Sequence, residues 1–447
     1  MTPPTADTSW FRGLGLGIFL NWTHSSTQGW EMSWQMVGGV TGQYPPREPV
    51  PCEEYFANPS TFNPDQFDAD QWARSLVAAG ARYAVLMTKH HDGFALWDSE
   101  FSDYTVTKAS PFGRDIVAEV VSALRRHGLR VGLYFSIVDW YSELYPRYTD
   151  DNIRKPYELG VYPRQPETWD AFRTYLLNQL TELLTKFGHI DIMWLDGEFE
   201  HSRDEWDFGQ IREHIRAVSP ATIVNDRCVG FGDFRTPEQQ LPESAPDGPW
   251  EQCMTMNDSW GWVAEDQAWK SPHQLIESLV ETVSTGGNLL LSVGPMGNGA
   301  FPPEAEERLA ALGRWIGANG EALQGLSSGL RPWQCRLPSA RRVEEDGSSR
   351  LFIYLTFEPG SILRLRDLPV RRIERVSILG SGRDLPFVTS ANIVDIQRQV
   401  LDALGDLVID VELDPEDCVP VIAVDIAARV PEGTPGLLVP NPALHEV

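Results

Sequence analysis

Cysteine is scarce. The 447 residues contain 5, namely Cys52, Cys228, Cys253, Cys335 and Cys418, an odd number spread widely and without a CxxC pair. That pattern argues against a disulfide framework or a structural zinc site and favours reduced thiols in a cytoplasmic protein. Basic residues are also few, 37 Lys and Arg against 63 Asp and Glu, for a formal net charge of −26. Nucleic acid and anionic membrane surfaces demand a basic footprint, so neither is expected as a partner. No apolar run approaches the ~20 residues of a membrane-spanning helix. The first ten residues, Met1 to Trp10, lack both a basic n-region and an apolar h-region, so no secretory signal is expected there.

What the chain does have is length, tryptophan and alternation. Its length suits a catalytic unit of roughly 250 to 350 residues plus a smaller module. The 16 tryptophans supply core volume and flat apolar faces on which sugar rings can pack. Strand-like runs at 15–22, 82–90, 131–136, 190–197, 222–226, 250–256 and 288–295 alternate with helical patterns at 68–80, 115–128, 166–188, 205–218, 273–285 and 303–319. Alternation of this kind implies an α/β fold with a parallel sheet, and a (β/α)8-like barrel is its commonest closed form. Seven strands are evident, so closure is expected to be imperfect. After residue 328 the pattern changes to short strands near 351–357, 361–365, 375–379, 407–413 and 421–426, the signature of a small antiparallel β-sandwich. The predicted domains are therefore a barrel over 1–328 and a sandwich over 329–447. The final stretch, with Pro431, Pro435, Pro440 and Pro442, reads as an extended tail.

Polar residues collect at the C-terminal ends of the barrel runs, where such folds do their chemistry. In order these are Asn21, His90 and His91, Tyr134, Asp196, and Asn225, Asp226 and Arg227, with Trp194 on the face of Asp196. A ring of strand ends would gather carboxylates, imidazoles, a phenol and a guanidinium around one hydroxyl-rich ligand. Each has a blander reading. Asp196 could cap a helix, and Arg227 could sit in an ion pair. His90, His91 and Asp92 could form a metal site, but neighbours on a strand diverge and no third ligand is suitably spaced, so no metal is expected. Gly286-Gly287 reads as a helix-ending turn rather than a phosphate loop, and no cofactor is expected. Glu251 lies near the sixth strand, at its start.

Several ordered motifs carry a family resemblance: Trp10-Phe-Arg12 with Gly17-Ile-Phe19, Lys89-His-His-Asp-Gly-Phe94, Ser110-Pro-Phe-Gly-Arg-Asp115, Gly132-Leu-Tyr-Phe-Ser136, Trp194-Leu-Asp-Gly197 and Asn225-Asp-Arg227. Trp250 to Gly261, Gly286 to Pro295 and Asn319-Gly-Glu-Ala322 continue the series. Over roughly residues 10 to 325 the chain resembles the α-L-fucosidases of glycoside hydrolase family 29. The resemblance implies a retaining exo-glycosidase for α-L-fucosyl or other L-galacto-configured residues, with a fucosylated carbohydrate as substrate. It implies Asp196 as nucleophile, with His90, His91, Tyr134, Trp194 and Arg227 lining the sugar pocket. Glu251 matches an acid/base position, with Glu243, Glu198 and Glu31 as competitors. One departure stands out: the family usually carries His-Trp-Gly where this chain has Asn21-Trp22-Thr23. Either His24 substitutes for that imidazole or the substrate differs; Glu31 and Trp34 are read as standing in for the family's Glu and Trp. The competing reading is a carbohydrate-binding protein that has lost turnover. A homo-oligomer is compatible with the sequence, which does not fix the oligomeric state.

Overall fold

The computed structural model describes residues 6–38, 48–146, 166–398, 400–413 and 418–430; the proline-bearing stretch from 431 on lies outside them. Chain contacts divide the protein into two units, Met1–Ser271 with Gly287–Gly313, and Pro272–Gly286 with Arg314–Val447. The helix over 273–285, read from sequence as part of the barrel series, thus groups with the second unit.

In the first unit seven strands form one parallel sheet: β1 Leu16–Leu20, β2 Tyr83–Lys89, β3 Arg130–Ser136, β4 Ile192–Asp196, β5 Ile223–Val224, β6 Glu251–Thr255 and β7 Asn288–Val293. Their spatial order is β5-β4-β3-β2-β1-β7-β6. β1, β2, β6 and β7 are buried along their whole length, which explains why they read as continuous apolar runs instead of alternating ones. The longer helices are α1 Ala69–Ala78, α2 Ile116–Arg126, α3 Pro166–Thr185, α4 Phe208–Val218, α5 Pro272–Ser284 and α6 Pro303–Asn319. Asp68 and Asp115 cap α1 and α2 by accepting from the backbone N–H groups of Gln71 (2.9 Å) and Ala118 (2.8 Å), as their positions in the sequence predict. The helix expected from Glu205 is broken: Asp207 takes φ +51°, ending a short turn over Arg203–Trp206 before α4 begins.

The two edge strands, β5 and β6, do not pair with each other. Between them runs an irregular segment that bridges both, through Asn225–Phe234 on one side and Arg235–Trp250 and Glu238–Cys253 on the other. Asp233 N–H donates to the Val224 carbonyl (2.7 Å), Glu251 N–H to Arg235 (2.9 Å), Cys253 N–H to Pro237 (3.1 Å) and Gln239 N–H to Cys253 (2.8 Å). Asp233 is the anchor: it is nearly enclosed, accepts from Val224 N–H (2.8 Å) and pairs with Arg212 (2.6 Å) and Arg216 of α4. Residues 233–239 therefore occupy the eighth position of the ring without being a strand. The seven-strand count was correct, and this seam is its structural meaning.

The second unit contains two antiparallel sheets. β8 Ser327–Ser328, β9 Ser339–Val343, β10 Ser349–Tyr354, β12 Ile373–Ile378 and β15 Val421–Ile426 form one; β11 Ile362–Pro369, β13 Phe387–Ala391 and β14 Leu404–Asp410 form the other. Leu351, Ile353, Leu365, Leu407, Ile409, Ile422 and Val424 supply a shared apolar core. β13 escaped the sequence reading because its side chains are mostly exposed and show no alternation.

Inside the barrel, Tyr83 pairs in register with Gly17, and its ring crosses that residue so closely that a Cβ there would lie 2.2 Å from Cζ. Gly17→Ala is expected to cost about 1–3 kcal/mol through overpacking, read as a lower thermal midpoint. An unchanged midpoint would show that the Tyr83 ring can move aside at no cost.

Candidate active site

At the C-terminal rim of the parallel sheet lies a cavity of about 580 Å³, its open mouth included, lined on one side by Asn21, His90, Tyr134, Asp196, Arg227 and Glu238. Phe19, Met32, Trp34, Phe199 and Trp260 form an apolar wall, and Trp194 and Cys253 complete the lining. Asp196 is the last residue of β4. Its position is fixed from the neighbouring strand's end, where Asn225 imitates a strand partner: Leu195 N–H donates to Asn225 Oδ1 and Asn225 Nδ2 donates to the Leu195 carbonyl, both at 2.9 Å. Asn225 is thus spent on the backbone and is not a sugar ligand.

Tyr134 O–H donates to Asp196 Oδ2 at 2.7 Å. Burial and the adjacent carboxylate raise the phenol's pKa well above its ordinary value, so it stays a donor. On the other oxygen's side stands Arg227, 3.8 Å from Asp196 Oδ1. The same guanidinium donates to Glu198 Oε1 (3.1 Å) and Glu238 Oε2 (2.7 Å). Burial opposes its charge, but Asp196, Glu198 and Glu238 together raise its pKa. Glu198, on the turn after β4, is pushed up to about 7 by burial and by Asp196.

His90 and His91 follow β2. His90 Nδ1 meets Ser33 Oγ at 2.6 Å and its ring stacks near that of Tyr134; His91 Nδ1 meets Ser136 Oγ at 2.8 Å. Burial lowers both, His91 to about 3, so both imidazoles are neutral at ordinary pH and bind as hydrogen-bonding groups, not as cations. His90 lines the cavity, whereas His91 stands behind it, Nε2 3.7 Å from Asp196 Oδ2. Asp92 turns away to accept from Tyr55 O–H (2.8 Å). Among the described residues no three His, Cys, Asp or Glu are placed to hold a metal ion.

Asn21 does line the cavity: its Nδ2 donates to Ser292 Oγ (2.8 Å), leaving Oδ1 as the amide's open acceptor. Trp34 lines it too, from the turn over Met32–Val37. Two other expected sugar contacts require correction. His24 is wholly buried beside Asn58 (3.0 Å) and Asp92 (3.6 Å) and does not reach the cavity, so it does not replace an imidazole at position 21. Glu31 is buried as well, accepting from the backbone N–H groups of Trp260 (2.6 Å) and Gly261 (3.1 Å); it braces the loop that presents Trp260.

Glu251 also requires correction. It is the first residue of β6, at the end of the sheet opposite the catalytic rim. There it is fully enclosed, bonded to Tyr83 O–H and to Trp194 Nε1 (3.1 Å), one inward position below Cys253. A group there cannot reach a leaving oxygen at the rim. Its role is to hold the Trp194 ring from beneath. The carboxylate that the sequence reading missed is Glu238. It sits on the irregular seam, where no strand pattern marks a rim position; the only hint was the interval left between the fifth and sixth strands.

A sugar-sized cavity at the C-terminal face of a (β/α) barrel, with a tryptophan in its lining and two carboxylates beside one arginine, is an arrangement that glycoside hydrolases use. A pattern for the alpha-L-fucosidase family matches residues 4–321. The tissue alpha-L-fucosidase of Bos taurus is 31% identical over 400 residues, 85% of this chain and 81% of the relative; that of Homo sapiens is 30% identical over 400 residues, 85% and 82%. Among solved structures, alpha-L-fucosidase isoenzyme 1 from Paenibacillus thiaminolyticus gives a TM-score of 0.77 at 28% identity, covering 94% of this chain and 98% of that one. The Thermotoga maritima alpha-fucosidase gives 0.70 at 26%, covering 94% and 97%. The chain belongs to the alpha-L-fucosidase family, enzymes that hydrolyse O-glycosyl bonds.

Burial raises the Glu251 pKa to about 7, against about 4.3 in an unfolded chain. Between those values the folded state keeps a proton that the unfolded state has lost, so stability falls as pH rises through this window. Replacing Glu251 with Gln removes that dependence. The thermal midpoint of wild type relative to Glu251→Gln is expected to fall from pH 5 to pH 7.5, and the variant to lose activity equally on good and poor leaving groups. A selective loss on poor leaving groups would return the acid/base role to Glu251.

Proposed function

We propose that this chain removes terminal α-L-fucosyl residues by double displacement, with Asp196 as nucleophile and Glu238 as acid/base. The observation that carries the assignment is Arg227, which faces Asp196 and Glu238 at once within the cavity wall. Retaining hydrolysis needs two carboxyl groups about 5 to 5.5 Å apart, one to attack and one to protonate. Tyr134 occupies Asp196 Oδ2, so Oδ1 is the attacking atom. As Oδ1 bonds to the anomeric carbon, protonated Glu238 gives its proton to the departing glycosidic oxygen. In the second step the Glu238 carboxylate takes a proton from water, the water oxygen attacks the anomeric carbon, and the Asp196 ester bond breaks. Glu238 is 43% exposed along its side chain, which suits a group that must meet leaving alcohols and water in turn.

The apolar wall of Phe19, Met32 and Trp260 suits a 6-deoxy sugar, whose methyl group needs no hydrogen-bond partner. The Thermotoga maritima alpha-fucosidase is described in complex with a mechanism based inhibitor, which fits a covalent step. A binding-only role is disfavoured because a lectin has no use for two carboxylates held in tension by one cation. Glu198 does not line the cavity; it steadies Arg227.

Asp196→Gly is expected to abolish turnover while leaving the fold intact, a loss of many orders of magnitude for a missing nucleophile. Azide added to that variant should yield a glycosyl azide of inverted configuration; the retained anomer would refute the role.

Glu238→Gln is expected to slow fucosides with poor leaving groups far more than activated aryl fucosides, on the scale of the 10²- to 10⁴-fold that general acid catalysis supplies. A uniform loss across leaving groups would overturn the acid/base assignment of Glu238.

A further inference from the structure

The second unit carries a cleft that the reaction above does not use. Two large aromatic side chains stand in solvent along it, Trp333 at 53% and Phe357 at 54% exposure, with Arg336, Arg364 and Arg366 around a floor that includes Leu363. Alternation along β11 explains the arginines: Leu363 and Leu365 point into the core, so Arg364 and Arg366 share the outward face. The loop bearing Trp333 is fastened in place. Gln334 Nε2 donates to the carbonyls of Arg366 (3.2 Å) and Asp367 (3.4 Å), and Arg366 N–H donates back to the Gln334 carbonyl (3.2 Å). That clamp closes on the irregularity between Leu365 and Leu368, where Asp367 holds φ +56°, a left-handed conformation that aspartate tolerates better than most residues.

The charge is locally inverted. Arg364 is paired with Asp406, but neither Arg336 nor Arg366 has a carboxylate partner among the described residues, in a chain of net charge −26. A guanidinium grips a carboxylate with paired hydrogen bonds, and indole or phenyl faces pack against the C–H face of a pyranose. The excess negative charge elsewhere repels a dense polyanion. Screening over about 8 Å at physiological salt leaves a short acidic sugar in the cleft to feel chiefly the arginines there.

We propose that this cleft binds an acidic oligosaccharide, with Trp333 and Phe357 against the sugar faces and Arg336 and Arg366 on the carboxylate of a uronic or sialic acid. The site is separate from the Asp196 cavity, and its test does not depend on how that cavity works. Titration calorimetry on the full chain would compare trigalacturonic acid, its methyl ester and sialyllactose. One of the acids is expected to bind, and which one identifies the source of the carboxylate; the uncharged ester is expected to bind at least tenfold more weakly than trigalacturonic acid if that acid is the ligand. Trp333→Ala and the double variant Arg336→Ala/Arg366→Ala are each expected to lose tenfold or more, while hydrolysis of 4-nitrophenyl α-L-fucoside stays at the wild-type rate and reports an intact fold. The proposal is overturned if neither acid binds at millimolar concentration, if the ester matches a trigalacturonic acid that binds, if the variants bind as wild type does, or if single-stranded DNA displaces the sugar.

Discussion

Arg227 is the interaction on which the catalytic arrangement depends. One guanidinium faces three carboxylates, Asp196 and Glu198 at the end of β4 and Glu238 on the seam. Without the cation, three acids in one partly buried wall would repel one another, and the burial that already lifts Glu198 to about 7 would act on its neighbours too. With it, three carboxylates can share one wall, so that an attacking and a protonating group can stand close to the same anomeric carbon, as double displacement requires. The neutral imidazoles of His90 and His91 complete the arrangement: they offer hydrogen bonds without adding a competing positive charge.

Beneath the reacting atoms a second layer sets their positions. Asn225 extends the ladder of β5, a strand of only two residues, and so fixes the end of β4. Glu251 and Tyr83 hold the Trp194 ring from below, and Gly17 makes room for the tyrosine. These groups are buried and polar, and every hydrogen bond they make serves to place another residue. Their loss would therefore be felt in the geometry of the site and not in the chemistry of any one step.

Much of this was legible in the sequence, for physical reasons. Strand periodicity placed all seven barrel strands to within two residues at each end, and Asp196, His90, Tyr134 and Arg227 all fell at or near strand ends because a parallel ring brings those ends together. The failures have separate causes. Strand periodicity already put Glu251 at the start of the sixth strand, the end away from the rim, and only the family resemblance gave it the acid/base role. His24 and Glu31 are in the connection after β1, which folds into turns that bury both, and no spacing rule foretells that. Glu238 is invisible to pattern reading because its segment has no regular structure at all.

The seam has a consequence for how the enzyme fails. The other neighbours in the ring are joined along strand ladders, but residues 233–239 hold to β6 through a handful of backbone hydrogen bonds and to β5 through the Asp233 anchor. Cooperative units with the fewest buried contacts open first, so mild heat or denaturant should part the ring at this stave. Glu238 would then leave Asp196 while the rest of the barrel still stands, and inactivation would precede unfolding. The residue proposed as the acid/base is carried by the most easily loosened part of the wall.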